Sequence, residues 1–182
     1  MIGVFHVGRT LRNASDISIL EVFMLTPRIP MTPSGKKTLE QRLRKLKAVD
    51  RPKTIAAIEE ARSHGDLSEN AEYDAAKEHQ LQLSKQIQDI EHKLSLAQVI
   101  DPTSISSDKV VFGATVTLRA FENDEEVTYS IVGVDESDIK HGKISIESPI
   151  ARALIGKQEG DEIKVKTPLG LREFEVVSIK YR

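Results

Sequence analysis

The sequence predicts an α+β protein in which an antiparallel coiled-coil hairpin of two long helices precedes a small β-rich domain. Three observations carry this reading. Apolar residues recur with a helical period from Thr32 to Ala97, and the period becomes two from Lys109 onward. Between these regimes lies Asp101-Pro102 and a polar stretch, the composition of a linker. The chain of 182 residues is long enough for one ordinary domain or two small ones.

The elements follow in order. Residues 1–30 show no clean period and end between Pro27 and Pro30. Glu21 interrupts their best apolar run, Ile17 to Leu25, so a signal peptide is not expected. The segment reads as a dispensable tail, with Met31 as the start of the functional chain. Ser34 is expected to cap the first helix, whose seam would run through Leu39, Leu43, Leu46 and Val49 and on to Ile55 and Ile58. Pro52 falls inside that pattern and should kink or split the helix. The second helix has a cleaner heptad seam of Tyr73, Ala76, Gln80, Leu83, Ile87, Ile90, Leu94 and Ala97. Between them, Gly65 suits a helix C-terminus, while Asp66 and Glu69 have capping-box spacing for the next helix. So short a loop forces antiparallel helices, giving a hairpin roughly 40 Å long that projects from a globular part.

Strands are expected at Val110–Arg119, Val127–Val134, Lys143–Glu147, Glu162–Thr167 and Glu173–Tyr181. Pro149 opens a short helix, Ile150 to Ile155, closed by Gly156, and Pro168-Leu169-Gly170 turns the last two strands into a hairpin. The predicted division is thus a tail (1–30), a hairpin (31–101), a linker (102–108) and a β-rich domain (109–182).

Composition excludes several functions. The absence of Cys removes a disulfide framework, a thiol nucleophile, a Cys-ligated zinc and an iron–sulfur cluster. A net charge of −2 argues against a generic polyanion binder. No apolar run approaches the roughly 18–20 residues of a membrane span. The five His are scattered, and the ten Gly form no phosphate-binding loop. Charge along the hairpin is uneven: residues 35–53 hold eight bases and two acids, whereas residues 59–78 hold seven acids and two bases. The root is basic and the tip acidic. Solvated helix faces often carry such runs, but no core of this chain requires an acidic tip. There Asp66 and Glu69 admit two readings, a capping box or a pair of oxygen ligands for Mg²⁺. Two ionised carboxylates on an exposed loop cannot complete a metal site, so any metal chemistry must occur inside another molecule's site.

The tip run His64-Gly65-Asp66-Leu67-Ser68-Glu69-Asn70-Ala71-Glu72-Tyr73 resembles the GreA/GreB family of bacterial transcript-cleavage factors. Phe112-Gly113-Ala114-Thr115-Val116 and the stretch from Ser148 to Gly156 resemble it too, in the right order, over about Met31 to Arg182. Gln98 to Asp101 and Thr115 to Leu118 look nearer its GreA branch. The resemblance implies an FKBP-like C-terminal domain docked on RNA polymerase and a coiled coil inserted into its secondary channel. There Asp66 and Glu69 would share a Mg²⁺ held mainly by the polymerase, which then cleaves the backtracked nascent RNA 3′ end. It also implies supporting roles at the tip for Asn70 and Tyr73, and RNA contact for Arg62 and Lys77. Lys77 stands where an Arg is usual, and Ser68 where a Lys is usual. The factor would be a cytoplasmic monomer that is not itself an enzyme and has no membrane association. Two rivals remain open: a channel-binding regulator without cleavage, and a stand-alone peptidyl-prolyl isomerase.

Overall fold

The computed structural model describes residues 28–63, 70–167 and 170–182. Strand β1 (Ile29–Met31) pairs in parallel with β2 (Ala97–Val99), matching Ile29 to Ala97 and Met31 to Val99. Flanking bonds from Ile29 N to Leu96 O and from Ile100 N to Met31 O, both 2.9 Å, extend the pairing. Two sequence expectations change here. Ile29 and Pro30 belong to a strand rather than to the tail, and the second helix gives way to a strand before Ala97. A three-residue strand is too short to display a period, and its partner lies far along the chain. Pro30 is tolerated because a two-stranded sheet consists of edges.

Helix α1 (Pro33–Lys45) is capped by Thr32, whose hydroxyl accepts from Gly35 N at 3.1 Å; Ser34 lies inside the helix instead. Pro33 decides this, because it favours the first helical position and holds the preceding residue extended. Thr32 has ψ 161° accordingly.

The expected break at Pro52 takes a specific form. A single wide π-helical turn, Leu46–Asp50, joins α1 to α2 (Arg51–Ser63), and the Arg51 N–H reaches Leu46 O, five residues back. Pro52 has no N–H to continue an α-helical ladder, and the wide turn absorbs that defect without ending the helix. The extra residue rotates everything beyond it by about 100°. Val49 and Ile55, expected in the seam, are consequently 42% and 43% exposed, and Thr54 and Ala61 are buried in their place.

Helix α3 (Ala71–Ser95) returns antiparallel, about 38 Å long at 1.5 Å per residue. Its seam is as expected in kind. Leu83, Ile87 and Ile90 are buried and cluster with Met31, Leu39 and Leu46, while Tyr73, Ala76, Gln80 and Leu94 are half-buried. Among the described residues no helix is long and apolar enough to cross a membrane.

The C-terminal part is a five-stranded sheet in the order β5-β4-β3-β7-β6, built from β3 (Ala114–Ala120), β4 (Glu126–Val132), β5 (Lys143–Ser145), β6 (Glu162–Thr167) and β7 (Gly170–Tyr181). Only the β4–β5 pair is parallel. Strand β3 alternates strictly, with Ala114, Val116, Leu118 and Ala120 inward. Helix α4 (Pro149–Leu154) adds Ala151 and Leu154 to the core they form with Val110, Ile131 and Val176. Val110 is buried but precedes the strand, because Gly113 turns the chain at φ +86°. Pro149 opens α4 and Gly156 follows it at φ +83°, as the sequence predicts, and Ser148 is its cap. The β6–β7 hairpin is also as predicted, although Pro168 and Leu169 of its turn lie outside the described residues.

Candidate functional site at the hairpin tip

The tip is where α2 ends and α3 begins, and one side chain joins them. Asn70 Oδ1 accepts from the backbone N–H groups of Glu72 and Tyr73, both at 3.1 Å, which caps α3. Its Nδ2 donates to Ala61 O at 2.7 Å, in the last turn of α2. Carbonyls in that turn have no intrahelical partner. Asn70 therefore satisfies orphan groups of both helices at once, which a carboxylate cannot do because it has no proton to donate. Ala61 is buried beneath this contact, and Tyr73 is half-buried one turn into α3.

One of the two readings of Asp66 made it the cap of this helix; α3 begins at Ala71, and its cap is Asn70. Asp66 and Glu69 themselves, with His64, Gly65 and Ser68, lie outside the described residues. Their flanks are described. Arg62 is exposed in the last turn of α2, and Lys77 is exposed two turns into α3, its Nζ 3.4 Å from Gln80 Oε1. Tyr73 and Lys77, four apart, share a helix face. Glu72 and Asp74 occupy the first turn of α3, where negative charge complements the helix dipole.

Elsewhere in the arm, an open cleft of about 450 Å³ lies along the seam beside Leu46, Thr54, His79 and Leu83. Thr54 Oγ1 donates to Asp50 O at 2.9 Å and lies 3.0 Å from His79 Nδ1. His79 thus serves a polar seam contact, and sequence periodicity missed this pair because the wide turn placed Thr54 inward. In the β-rich domain, His141 Nδ1 is 2.6 Å from Asp138 Oδ2, and that hydrogen bond holds the Asp138 carboxyl below the usual carboxylate range. Among the described residues no three His, Asp or Glu side chains are grouped to hold a metal.

Two family models match the chain. "Transcription elongation factor, N-terminal" matches residues 29–99, and "Transcription elongation factor, GreA/GreB, C-term" matches residues 105–181. "Transcription elongation factor GreA" of Neisseria meningitidis serogroup A is 57% identical over 155 residues, covering 85% of this chain and 98% of that protein. The protein of the same name from Thioalkalivibrio sulfidiphilus is 58% identical over 153 residues, covering 84% and 97%. Among solved structures, the GreA factor homolog 1 of Thermus thermophilus aligns with 26% identity and a TM-score of 0.40, covering 85% of this chain and 99% of that one. A hairpin with an Asn-capped tip on a five-stranded domain, matched in both parts and at 57% identity across nearly a whole relative, settles the lineage: the chain belongs to the GreA/GreB family of transcription elongation factors.

Proposed function

We propose that this factor binds RNA polymerase, places its hairpin in the secondary channel, and stimulates the polymerase to cleave backtracked nascent RNA at its 3′ end. The observation that carries this reading is the identity of the cap. With Asn70 capping α3 and closing the tip onto Ala61, the helix does not need Asp66 or Glu69 for that purpose. Two acids then remain in the tip sequence of a long arm. Their carboxylate oxygens are the hard donors Mg²⁺ takes, and they supply two of its roughly six positions, so the polymerase must supply the others. When bound, the ion neutralises charge and acidifies water at an RNA phosphodiester.

The chain's own residues do the rest. Asp66 and Glu69 present anionic oxygens, while Asn70 and Tyr73 hold the turn that carries them. Arg62 and Lys77 flank the acids with cations that donate charge-assisted hydrogen bonds to RNA phosphates. The factor is therefore a stimulator of the polymerase's own reaction, and the β-rich domain is its docking part.

The test adds purified protein and Mg²⁺ to a backtracked elongation complex. The parental chain should release short 3′ fragments, and free RNA without polymerase should stay intact. Asp66→Asn and Glu69→Gln should keep helical content, melting temperature and polymerase binding, yet lower cleavage by orders of magnitude. Parental cleavage by a folded Asp66→Asn variant would refute the reading.

A further inference from the structure

We propose that Glu136 is a positioning residue: from the β-rich domain it grips the first turn of α1 and fixes the direction in which the hairpin presents its tip. Glu136 ends a short 3-10 turn, Val134–Glu136. Its Oε1 accepts from Thr32 N at 2.9 Å, and its Oε2 accepts from the Thr32 hydroxyl, across 104 residues of sequence. Thr32 is the cap of α1, and the first turn of that helix contains no acidic residue of its own. The charge favoured at a helix N-terminus thus comes from the other domain.

The backbone is cut to fit this contact. A Cβ on Gly35 would lie 2.0 Å from Glu136 Cδ, and one on Gly133 would lie 2.8 Å from Pro30 O and 2.9 Å from Glu136 Oε1. Only glycine admits this approach from either side. The neighbouring acid holds the other helix: Asp135 Oδ1 is 2.8 Å from Lys93 Nζ on α3. Consecutive carboxylates therefore hold one arm of the hairpin each. On an arm of about 38 Å, a rotation of about 5° at the root moves the tip by roughly 3 Å. A misplacement of about 1 Å can already cost about a hundredfold in rate. The consequence for cleavage rests on the function proposed above, whereas the latch itself does not.

The chain contains no Cys, so introduced labels report cleanly. Spin labels at Lys85→Cys on α3 and Asn123→Cys in the β-rich domain, both exposed positions, give the distance distribution across the joint. The parental background should give one narrow distribution. Glu136→Ala should broaden it at least about twofold, and Glu136→Gln, which retains an acceptor for Thr32 N, should restore much of the narrowness. Gly35→Ala should reproduce the Glu136→Ala result from the opposite side. Ala is a better helix former than Gly, so melting of α1 would not explain that result. Glu136→Ala should also lower cleavage about tenfold or more, with polymerase binding retained.

A folded Glu136→Ala variant with the parental distribution overturns the proposal. So does a broadened distribution with parental cleavage, which would remove the positioning role. If the parental chain itself gives no cleavage, the functional reading fails. The distributions then decide the latch alone, a broadened one upholding it and an unchanged one overturning it.

Discussion

Replacing Asn70 by Asp separates its two contacts. Asp caps a helix about as well as Asn, so the acceptor bonds from Glu72 N and Tyr73 N survive. The donor to Ala61 O does not. An orphaned carbonyl beneath a buried residue costs about 1–3 kcal/mol, and the carboxylate is pressed against an oxygen besides. The added charge returns about 0.3–1 kcal/mol through the dipole of α3. The net loss is therefore about 1–2 kcal/mol. Asn70→Ala loses the cap as well, about 1 kcal/mol more. Chemical denaturation followed by helical circular dichroism should rank parent, Asn70→Asp and Asn70→Ala in falling order of stability. Asn70→Asp as stable as the parent, or Asn70→Ala no worse than Asn70→Asp, would refute the double-cap account.

Two further outcomes follow from the root of the hairpin. A chain starting at Arg28 should match the full-length protein in thermal stability, while one starting at Thr32 should melt lower because it loses β1 and the buried Met31; equal melting would deny the strand its role. The second concerns pH. Hydrogen bonds to Asp135, then Asp89, raise the Lys93 pKa above the ordinary lysine value of 10.5. A raised pKa means that the stabilisation is complete below pH 10.5 and fades as pH climbs through the folded-state value. The stability gap between the parent and Lys93→Met should thus be constant from pH 7 to 9 and close in strongly alkaline solution. A gap independent of pH would exclude the ion pair.

What could be read from sequence divides by the range of the interaction responsible. Local signals worked. The heptad of α3 places Leu83, Ile87 and Ile90 inward, Pro149 opens α4, and alternation gives β3 its buried face. The misreadings came from contacts that no local period encodes. Strand β1 exists because Ile29 to Met31 find Ala97 to Val99. The seam of α2 was misplaced because a proline's effect can be absorbed as one extra residue in a turn, which moved Val49 and Ile55 outward. At the tip, the capping-box spacing pointed to Asp66, whereas the cap of α3 is Asn70. The decision lay with Ala61 O, nine residues before Asn70, which needs a donor. Glu136 gave no signal at all, since its partner Thr32 lies in another part of the fold.

Packing along the arm is graded, and the gradient explains why one amide matters so much at the tip. Near the root the seam holds Met31, Leu39, Leu46, Leu83, Ile87 and Ile90, each of them buried. Full burial of such a side chain contributes about 1.5–3 kcal/mol. Beyond the wide turn the buried residues of α2 are Thr54 and Ala61, and on α3 Gln80, Ala76 and Tyr73 are only half-buried. Ala buries little area, and the Thr54–His79 contact contributes on the order of 1 kcal/mol. The distal half is therefore held far more weakly by apolar burial than the proximal half. A segment of that kind opens locally at low free energy unless something else closes it. Asn70 does so with hydrogen bonds instead of bulk, tying α2 to α3 without adding width. Heavier packing would steady the distal arm but thicken it, and under the function proposed above a thick arm would serve badly inside a confined channel. Small seam residues with a double cap tie the ends of α2 and α3 together while keeping them slender, the combination that the proposed function asks of an arm delivering two carboxylates to the polymerase.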